Sequence, residues 1–134
     1  MKKLLFILLI TIPFIGFGQS EEKIEYWDNG QVLSQIHYLD GKRDGSCRHW
    51  YKNGQLMNEG FYQNGKMTGY WMSYYSNGQI QNHGNYKYTE SGVYSRKDGV
   101  WKYYYDNGQI QSESIIKDGV EAVSYTHLTL PTNR

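Results

Sequence analysis

The stretch Gly69-Tyr-Trp-Met-Ser-Tyr-Tyr-Ser-Asn-Gly78 decides the fold, because the chain carries near copies of it. Two copies run from 45 to 54 (GSCRHWYKNG) and from 99 to 108 (GVWKYYYDNG), and a degenerate one ends at 26–30 (YWDNG). Each copy ends in Asn-Gly followed by Gln, and the glycines are Gly30, Gly54, Gly78 and Gly108, which are 24, 24 and 30 residues apart. Self-similarity at a nearly fixed period is typical of repeat architectures. The sequence therefore predicts an array of about four repeats.

Two sets of turns are expected in each repeat. Eleven residues after each of three Asn-Gly glycines comes a second turn glycine, at Gly41, Gly65 and Gly119. Asn-Gly and Asp-Gly between alternating residues favour a two-residue type I′ turn, which needs positive φ at both central positions. We therefore predict an all-β fold, an elongated single antiparallel meander of repeated β-hairpins.

Counting outward from the turn centres predicts which residues face each other. Asn77-Gly78 pairs Tyr75 with Ile80 and Trp71 with Gly84, so that a wide ring meets a bare position. The same counting gives Tyr51–Leu56, Tyr105–Ile110, Trp27–Val32, Trp101–Ser114 and Cys47–Gly60, and the second turns give Tyr62–Met67 and Ser34–Cys47. Such regularity is what a register fixed by packing produces.

Alternation along a strand divides the side chains between two faces. Trp71, Ser73 and Tyr75 share the predicted buried face with Ile80. The residues expected to maintain the repeat are Gly30, Gly54, Gly78, Gly108, Trp71, Trp101, Tyr75 and Tyr105. The opposite face is predicted to carry the ion pairs Arg48–Glu59 and Lys102–Glu113 together with Trp50, Tyr74 and Tyr104. These last three aromatics are the candidates for contact with a partner.

The two ends of the chain differ from the repeats. Residues 1–18 combine a short basic region, an apolar run and small residues, which is typical of a secretory signal peptide; the apolar run is too short for a membrane span. An uncleaved anchor is the alternative. Residues 19–123 form the predicted repeat domain, with an insertion at 87–97, and 124–134 fit no phase of the repeat. That tail is interpreted as an artefact or as a disordered extension.

Composition excludes several classes of function. Removal of residues 1–18 takes away Lys2 and Lys3 and lowers the net charge from +1 to −1, which leaves no basic patch for nucleic acid. Cys47 is the single cysteine, so no internal disulfide or cysteine-rich zinc site forms. Cys47 and His49 are two apart on one face, and we interpret Cys47 as a packing residue in the place of Trp. We expect no enzyme, no cofactor and no metal site.

The repeat itself resembles a known family. The pattern is carried by Tyr74–Gln79 (YYSNGQ), Tyr62–Lys66 (YQNGK) and Asp98–Trp101 (DGVW), and it resembles the variant MORN repeat over about residues 24–122. Proteins of this kind are catalogued as YwqK-like antitoxins. The resemblance implies a β-repeat scaffold and a protein partner, and its motifs are not specific for an activity. Cys47 and Thr68 depart from the pattern, as does the insertion after Tyr86.

These observations lead to two expected functions. The first is a secreted, non-enzymatic module, periplasmic, cell-surface or extracellular, that binds another protein, as an antitoxin or immunity protein does. The second is a cell-surface module that binds a glycan or lipid headgroups through its aromatics. An enzyme whose turnover depends on Cys47 is the third alternative, against which the lack of a catalytic set argues.

Overall fold

The computed structural model describes residues 18–88, 92 and 95–126. The predicted signal peptide lies outside the described residues except for Gly18, and so do residues 127–134 of the predicted tail. The described part contains nine strands: β1 (Ser20–Tyr26), β2 (Val32–Leu39), β3 (Lys42–Trp50), β4 (Leu56–Gln63), β5 (Lys66–Tyr74), β6 (Ile80–Tyr88), β7 (Ser95–Tyr104), β8 (Ile110–Lys117) and β9 (Val120–Thr126).

The strands form one antiparallel sheet in the order in which they follow along the chain. This confirms the predicted all-β meander. The six-residue insertion lengthens the hairpin of β6 and β7, whose pairing continues outward to Tyr88 and Ser95. Strand β9 continues three residues past the predicted end of the repeat domain and is exposed along its whole length.

The predicted type I′ geometry is correct at one set of turns and wrong at the other. Asp40-Gly41, Asn64-Gly65 and Asp118-Gly119 have positive φ at both residues. At the four Asn-Gly-Gln turns only the glycine has positive φ; Gly78, for example, has φ 87°. Its amide donates to the carbonyl of Tyr75 at 2.9 Å, and the amide of Tyr75 donates to the carbonyl of Gln79 at 2.8 Å. These are three-residue hairpin loops whose last residue is a glycine in the left-handed region of φ.

The longer loop changes the pairing next to the turn. Ile80 lies opposite Tyr74 rather than Tyr75, so the predicted Tyr75–Ile80 pair is wrong. The equivalent pairs are Tyr26–Val32, Trp50–Leu56 and Tyr104–Ile110 in place of Trp27–Val32, Tyr51–Leu56 and Tyr105–Ile110. A one-residue shift moves a side chain to the other face. Ile80 therefore lies on the face of Tyr74 and not, as predicted, on the face of Trp71.

Hydrogen bonds between successive Asn-Gly turns explain why the longer loop is adopted. The Trp27 indole donates to the Trp50 carbonyl at 3.0 Å, and the hydroxyls of Tyr51 and Tyr75 donate to the Tyr74 and Tyr104 carbonyls at 2.8 Å each. The carboxamides of Asn29, Asn53 and Asn77 likewise donate to the carbonyls of Lys52, Ser76 and Asp106. Each of the first three turns is thereby bonded to the corresponding turn of the next repeat. We call this set of bonds the turn ladder.

Away from the turns the predicted register holds within the Asn-Gly hairpins, but it shifts within the pairs of strands that join them. Trp71 pairs with Gly84, Trp101 with Ser114, and Cys47 with Gly60. Tyr62 pairs with Met67 as predicted. The predicted pair Ser34–Cys47 is wrong, because β3 carries two more residues than β2 between Arg43 and Cys47 and Cys47 lies opposite Ile36.

The Trp rings contact a different glycine from the one predicted. A Cβ built on Gly60 would lie 2.2 Å from the Trp71 ring, and one built on Gly84 would lie 2.4 Å from the Trp101 ring. Each ring therefore lies over the preceding strand, and not over its register partner within the hairpin. In the first copy the same two positions are Ile36 and Cys47, which are also buried. The loss of the Trp ring is thus compensated by a larger residue in place of glycine.

One face of the sheet holds the core, and we call it the core face. Its buried residues are Ile36, Cys47, Trp71, Trp101 and Ile116, with Tyr38, Tyr62, Met67, Tyr86 and Tyr103 packed against them. Neighbouring rings meet edge-on; Tyr62 and Trp71, for example, have centroids 5.3 Å apart at 88°. The Lys97 ammonium lies 4.1 Å from the centre of the Trp101 ring and covers it from solvent.

Candidate binding surface

The other side of the sheet, which we call the open face, carries the predicted partner-binding residues. A continuous line of register partners crosses it from Ile24 on β1 to Tyr125 on β9. Six successive members of this line are Arg48, Glu59, Met72, His83, Lys102 and Glu113, one from each strand of β3 to β8. We call these six residues the central row. The alternation of side chains along a strand places the neighbouring rows on the same face at every second residue.

The two predicted ion pairs lie in the central row. Arg48 Nε is 3.4 Å from Glu59 Oε2, and Lys102 Nζ is 3.3 Å from Glu113 Oε2. All four side chains are between about a third and a half exposed, so each pair stabilises the fold by only ~0 to 1 kcal/mol. The two ion pairs therefore contribute little to stability, and their main effect is on which charged groups of a partner this face attracts.

Trp50, Tyr74 and Tyr104 lie at the end of the open face nearest the Asn-Gly turns, and all three are half-buried. Together with their register partners they form the turn-side row, which is Trp50, Leu56, Tyr74, Ile80, Tyr104 and Ile110. The Tyr74 hydroxyl donates to Glu59 Oε1 at 3.1 Å, so this ring is directed along the sheet toward the central row. The three predicted residues thus share one face and one row.

His83 lies between two tyrosines in the middle of the open face. Its ring centroid is 5.5 Å from that of Tyr70 and 5.6 Å from that of Tyr104, with interplanar angles of 38° and 31°. Nε2 of His83 is 3.1 Å from the Tyr104 hydroxyl, and Nδ1 contacts the Tyr70 hydroxyl. Burial, followed by the charge of Lys102, lowers the pKa of His83 below its usual range. The ring is therefore neutral at pH 7.

Acidification is expected to destabilise the sheet through His83. The unfolded chain binds a proton at the ordinary histidine pKa of about 6.5, whereas the folded chain binds it only at a lower pH, so stability falls as the pH drops below that value. Urea denaturation at pH 7.5 and pH 5.5 measures the loss. His83→Gln, which keeps a hydrogen-bonding side chain but does not titrate, should lose less stability over this range. Equal losses in the two proteins would contradict the assignment.

Four exposed apolar residues of this face were not predicted from the sequence. Phe61 is 55% exposed, Tyr70 and Val100 are each 46% exposed, and Ile115 is 39% exposed. With Ser46 and Asn85 they form a third row on the far side of the central row, through the pairs Ser46–Phe61, Tyr70–Asn85 and Val100–Ile115. We call this the apolar row. The sequence does indicate the face of Tyr70, because Tyr70 lies two residues from Met72 on the same strand and every second side chain of a strand shares a face.

A depression of about 180 Å³ opens between β4 and β5. Its walls are Ser46, Arg48, Glu59, Phe61, Tyr70 and Met72, and Cys47 and Gly60 are at its base. It lies where β5 has two residues more than β4, between the pairs Phe61–Thr68 and Glu59–Met72. This irregularity leaves room between two exposed aromatics, Phe61 and Tyr70.

Cys47 and His49 are closer than the sequence indicated, because Cys47 Sγ lies 3.6 Å from His49 Nδ1. The same nitrogen is 2.9 Å from Asn58 Oδ1. A catalytic base uses one nitrogen for the nucleophile and the other for the group that orients it. The thiol is fully buried on the core face, and burial raises its pKa. This arrangement is that of a packed, hydrogen-bonded cluster.

The other candidate ligands do not converge. His37 contacts the Ser46 hydroxyl at 2.9 Å and Glu22 at 3.2 Å, away from both His49 and His83. Within the described ranges, no three side chains of His, Cys, Asp or Glu are grouped as a metal site requires. Nor does the described part of the chain contain a helix that is long and apolar enough to cross a membrane.

Comparison with known proteins supports the repeat assignment. No curated protein matches the chain. A solved structure, "Crystal structure of GtfA/B complex bound to UDP and GlcNAc", is similar at 17% identity with a TM-score of 0.33, over 82% of this chain and 26% of that one. The chain therefore spans about a quarter of the length of that protein. The family described as "MORN repeat variant" matches residues 22–40, 43–64, 67–92 and 97–118, one match for each repeat. These four matches cover most of the chain, which therefore belongs to the MORN repeat variant family.

Proposed function

We propose that this chain is an exported, non-enzymatic scaffold that binds another protein on its open face. The observation that carries the proposal is the apolar row, in which Phe61, Tyr70, Val100 and Ile115 remain exposed on a sheet whose opposite face already holds the core. Contiguous exposed apolar residues bordered by polar ones are typical of interaction sites. The apolar N-terminal segment supports export.

The dimensions of the open face suit a protein partner. Nine strands at about 4.8 Å and about eight residues per strand give a face of about 40 by 25 Å, or on the order of 1,000 Å². A standard protein interface covers about 800 Å² on each partner. The face is also continuous, because every strand pairs with its neighbour in the sheet.

The depression between Phe61 and Tyr70 is the proposed centre of the interface. Binding energy concentrates in aromatic and arginine residues near the middle of an interface, surrounded by contacts that exclude water. Phe61 and Tyr70 supply the apolar walls, and Arg48 and Glu59 lie at the rim, where they set orientation. A partner side chain inserted there would bury both rings.

The experiment is capture of a partner by the full chain. Immobilised protein is incubated with the envelope and secreted fractions of its host, and bound proteins are identified after crosslinking. Phe61→Asp combined with Tyr70→Ala should abolish capture of the specific partner, whereas Tyr105→Ala, at an exposed turn residue, should retain it. Capture unaffected by the double substitution, in protein shown to be folded by circular dichroism, would overturn the proposal.

The antitoxin role is the finer form of the same proposal, and the resemblance of the Tyr-Tyr-x-Asn-Gly-Gln pattern to YwqK-like proteins supports it. A captured protein that is toxic alone and harmless when co-expressed with this chain would support it further.

A glycan is the second candidate ligand, and the arrangement of the Tyr70, His83 and Tyr104 rings favours it. These rings are inclined to one another by less than 40°, whereas most ring pairs on the core face meet edge-on. A shallow layer of rings with nearby hydrogen-bonding groups suits stacking on a sugar. Glycan-array binding that is lost in Tyr104→Ala would select this candidate over a protein partner.

A further inference from the structure

The charges of the central row have a symmetry of their own. From β3 to β8 the row is positive, negative, neutral, neutral, positive and negative, in the order Arg48, Glu59, Met72, His83, Lys102 and Glu113. When the row is laid against a copy of itself in reverse order, each charged residue lies opposite a residue of the other sign. The two neutral residues lie opposite each other. A surface with this property is complementary to itself.

We propose that the open face binds a second copy of this chain, about a twofold axis that runs parallel to the strands between β5 and β6. This inference rests on the proposed function and names the partner. Such an axis places β3 over β8, β4 over β7 and β5 over β6 of the second copy. Arg48 then faces Glu113 of the second copy, and Glu59 faces its Lys102. Both sheets contribute the same patch, as an isologous dimer requires.

The turn-side row matches itself under the same axis. Trp50 faces Ile110 of the second copy, Leu56 faces its Tyr104, and Tyr74 faces its Ile80. Every contact in this row is thus aromatic on aliphatic. The match arises because the pairs Trp50–Leu56, Tyr74–Ile80 and Tyr104–Ile110 alternate along the row with the two-strand period of the repeat.

The apolar row completes the interface. Phe61 faces Val100 of the second copy, Tyr70 faces its Asn85, and Ser46 faces its Ile115. Four of these six residues, Phe61, Tyr70, Val100 and Ile115, are exposed apolar side chains. Contact between the two copies of this row removes part of the exposed apolar surface from water.

Two other symmetric arrangements place like charges together. An axis moved onto β5 brings Arg48 over Lys102 of the second copy. An axis perpendicular to the strands, along the line where each strand lies over itself, brings Arg48 over Arg48. Like charges in contact cost several kcal/mol in a binding interface, so these two arrangements are disfavoured. The axis between β5 and β6 is the one that places all four charged residues of the central row against opposite charges.

The dimer contains two closed rings of four charges. In each ring, Arg48 and Glu59 of one copy keep their 3.4 Å ion pair while Lys102 and Glu113 of the other keep theirs at 3.3 Å. The two new contacts, Arg48–Glu113 and Glu59–Lys102, close the ring between the copies. Burial of ion pairs adds little net affinity, so the binding energy comes from the turn-side and apolar rows. The charges determine which partner binds and in which orientation.

The test exploits the sign symmetry. In the variant R48E/E59R/K102E/E113K every ion pair is reversed, both within a copy and between two identical copies. Differently tagged wild type and variant are mixed as full chains, and dimers are scored by sedimentation and by co-purification. Each protein is expected to be dimeric alone, with mixed dimers at least tenfold rarer than random association gives, because all four inter-copy charge contacts of the mixed dimer join like charges. The substitution D28N, at an exposed turn residue, serves as the matched control and should mix freely with the wild type.

Statistical formation of mixed dimers, or a wild type that is monomeric at all accessible concentrations, would overturn the homodimer. These outcomes leave the broader proposal testable, because capture of an unrelated protein that is lost in Phe61→Asp with Tyr70→Ala would retain the open face as a binding site. Circular dichroism confirms that each variant is folded. A dimer that K102E alone weakens at least tenfold, and that adding E59K restores in part, supports the assigned pairing.

Discussion

Substitution of Gly84 by alanine is expected to destabilise the protein by about 3 kcal/mol. A Cβ at this position would lie 2.4 Å from the Trp101 ring, closer than side-chain carbons approach in proteins. Trp101 is only 2% exposed and packed on several sides, so the ring cannot move aside without displacing its neighbours. Forcing extra carbon into a packed core typically costs about 1–3 kcal/mol and occasionally more. Urea denaturation monitored by tryptophan fluorescence measures the loss.

The chain itself contains the compensating substitution. In the first copy, Ile36 and Cys47 occupy the positions of Gly84 and Trp101, and both are buried. Gly84→Ile alone should therefore prevent folding, while the double variant Gly84→Ile with Trp101→Cys should be more stable than the single one. A positive coupling between the two changes identifies direct contact. Additive losses would show that Trp101 and Gly84 do not share this space.

Truncation of Trp101 to alanine is the second large effect, with an expected loss of about 3–5 kcal/mol. The substitution removes a ring that packs edge-on against Tyr86 at 5.2 Å, receives the Lys97 ammonium and donates to the Asn85 carbonyl at 3.1 Å. Trp50→Ala on the open face is the matched control, because its ring is half-buried. We expect it to lose markedly less stability and to impair binding instead. Equal losses of stability would mean that the open face is part of the core.

Much of the fold follows from the sequence because glycine and tryptophan recur in step. The pair Trp71–Gly84 was predicted by counting from Asn77-Gly78, and it is present. The pair Tyr75–Ile80, nearer the turn, was not predictable in the same way. Asn-Gly is compatible with both the two-residue and the three-residue loop, and the choice depends on hydrogen bonds to the following repeat, such as that from Tyr75 to the Tyr104 carbonyl. Such contacts are not visible within a single repeat.

The candidate surface was only partly predictable for a related reason. Trp50, Tyr74 and Tyr104 were found because aromatic residues recur at equivalent positions. Phe61 was missed because its equivalents in the next two repeats are Asn85 and Ile115, and a search for recurring residues passes over positions that change. Positions that vary on a uniform scaffold are also those at which one array differs from another in what it binds. The contact of Trp71 with Gly60 was missed as well, because it depends on the extra residues of β5.

Because of the turn ladder, the two long margins of the sheet differ in whether they can accept inserted residues. On the Asn-Gly side, Asn77 donates to a carbonyl 29 residues ahead, whereas Asn29 and Asn53 donate 23 residues ahead, and the bond is made in all three. The six additional residues extend the hairpin of β6 and β7 at the opposite margin, without disturbing this contact. In this chain the additional sequence is thus accommodated at the margin opposite the turn ladder. A foreign loop grafted between β6 and β7 should be displayed at that margin while the scaffold keeps its spacing.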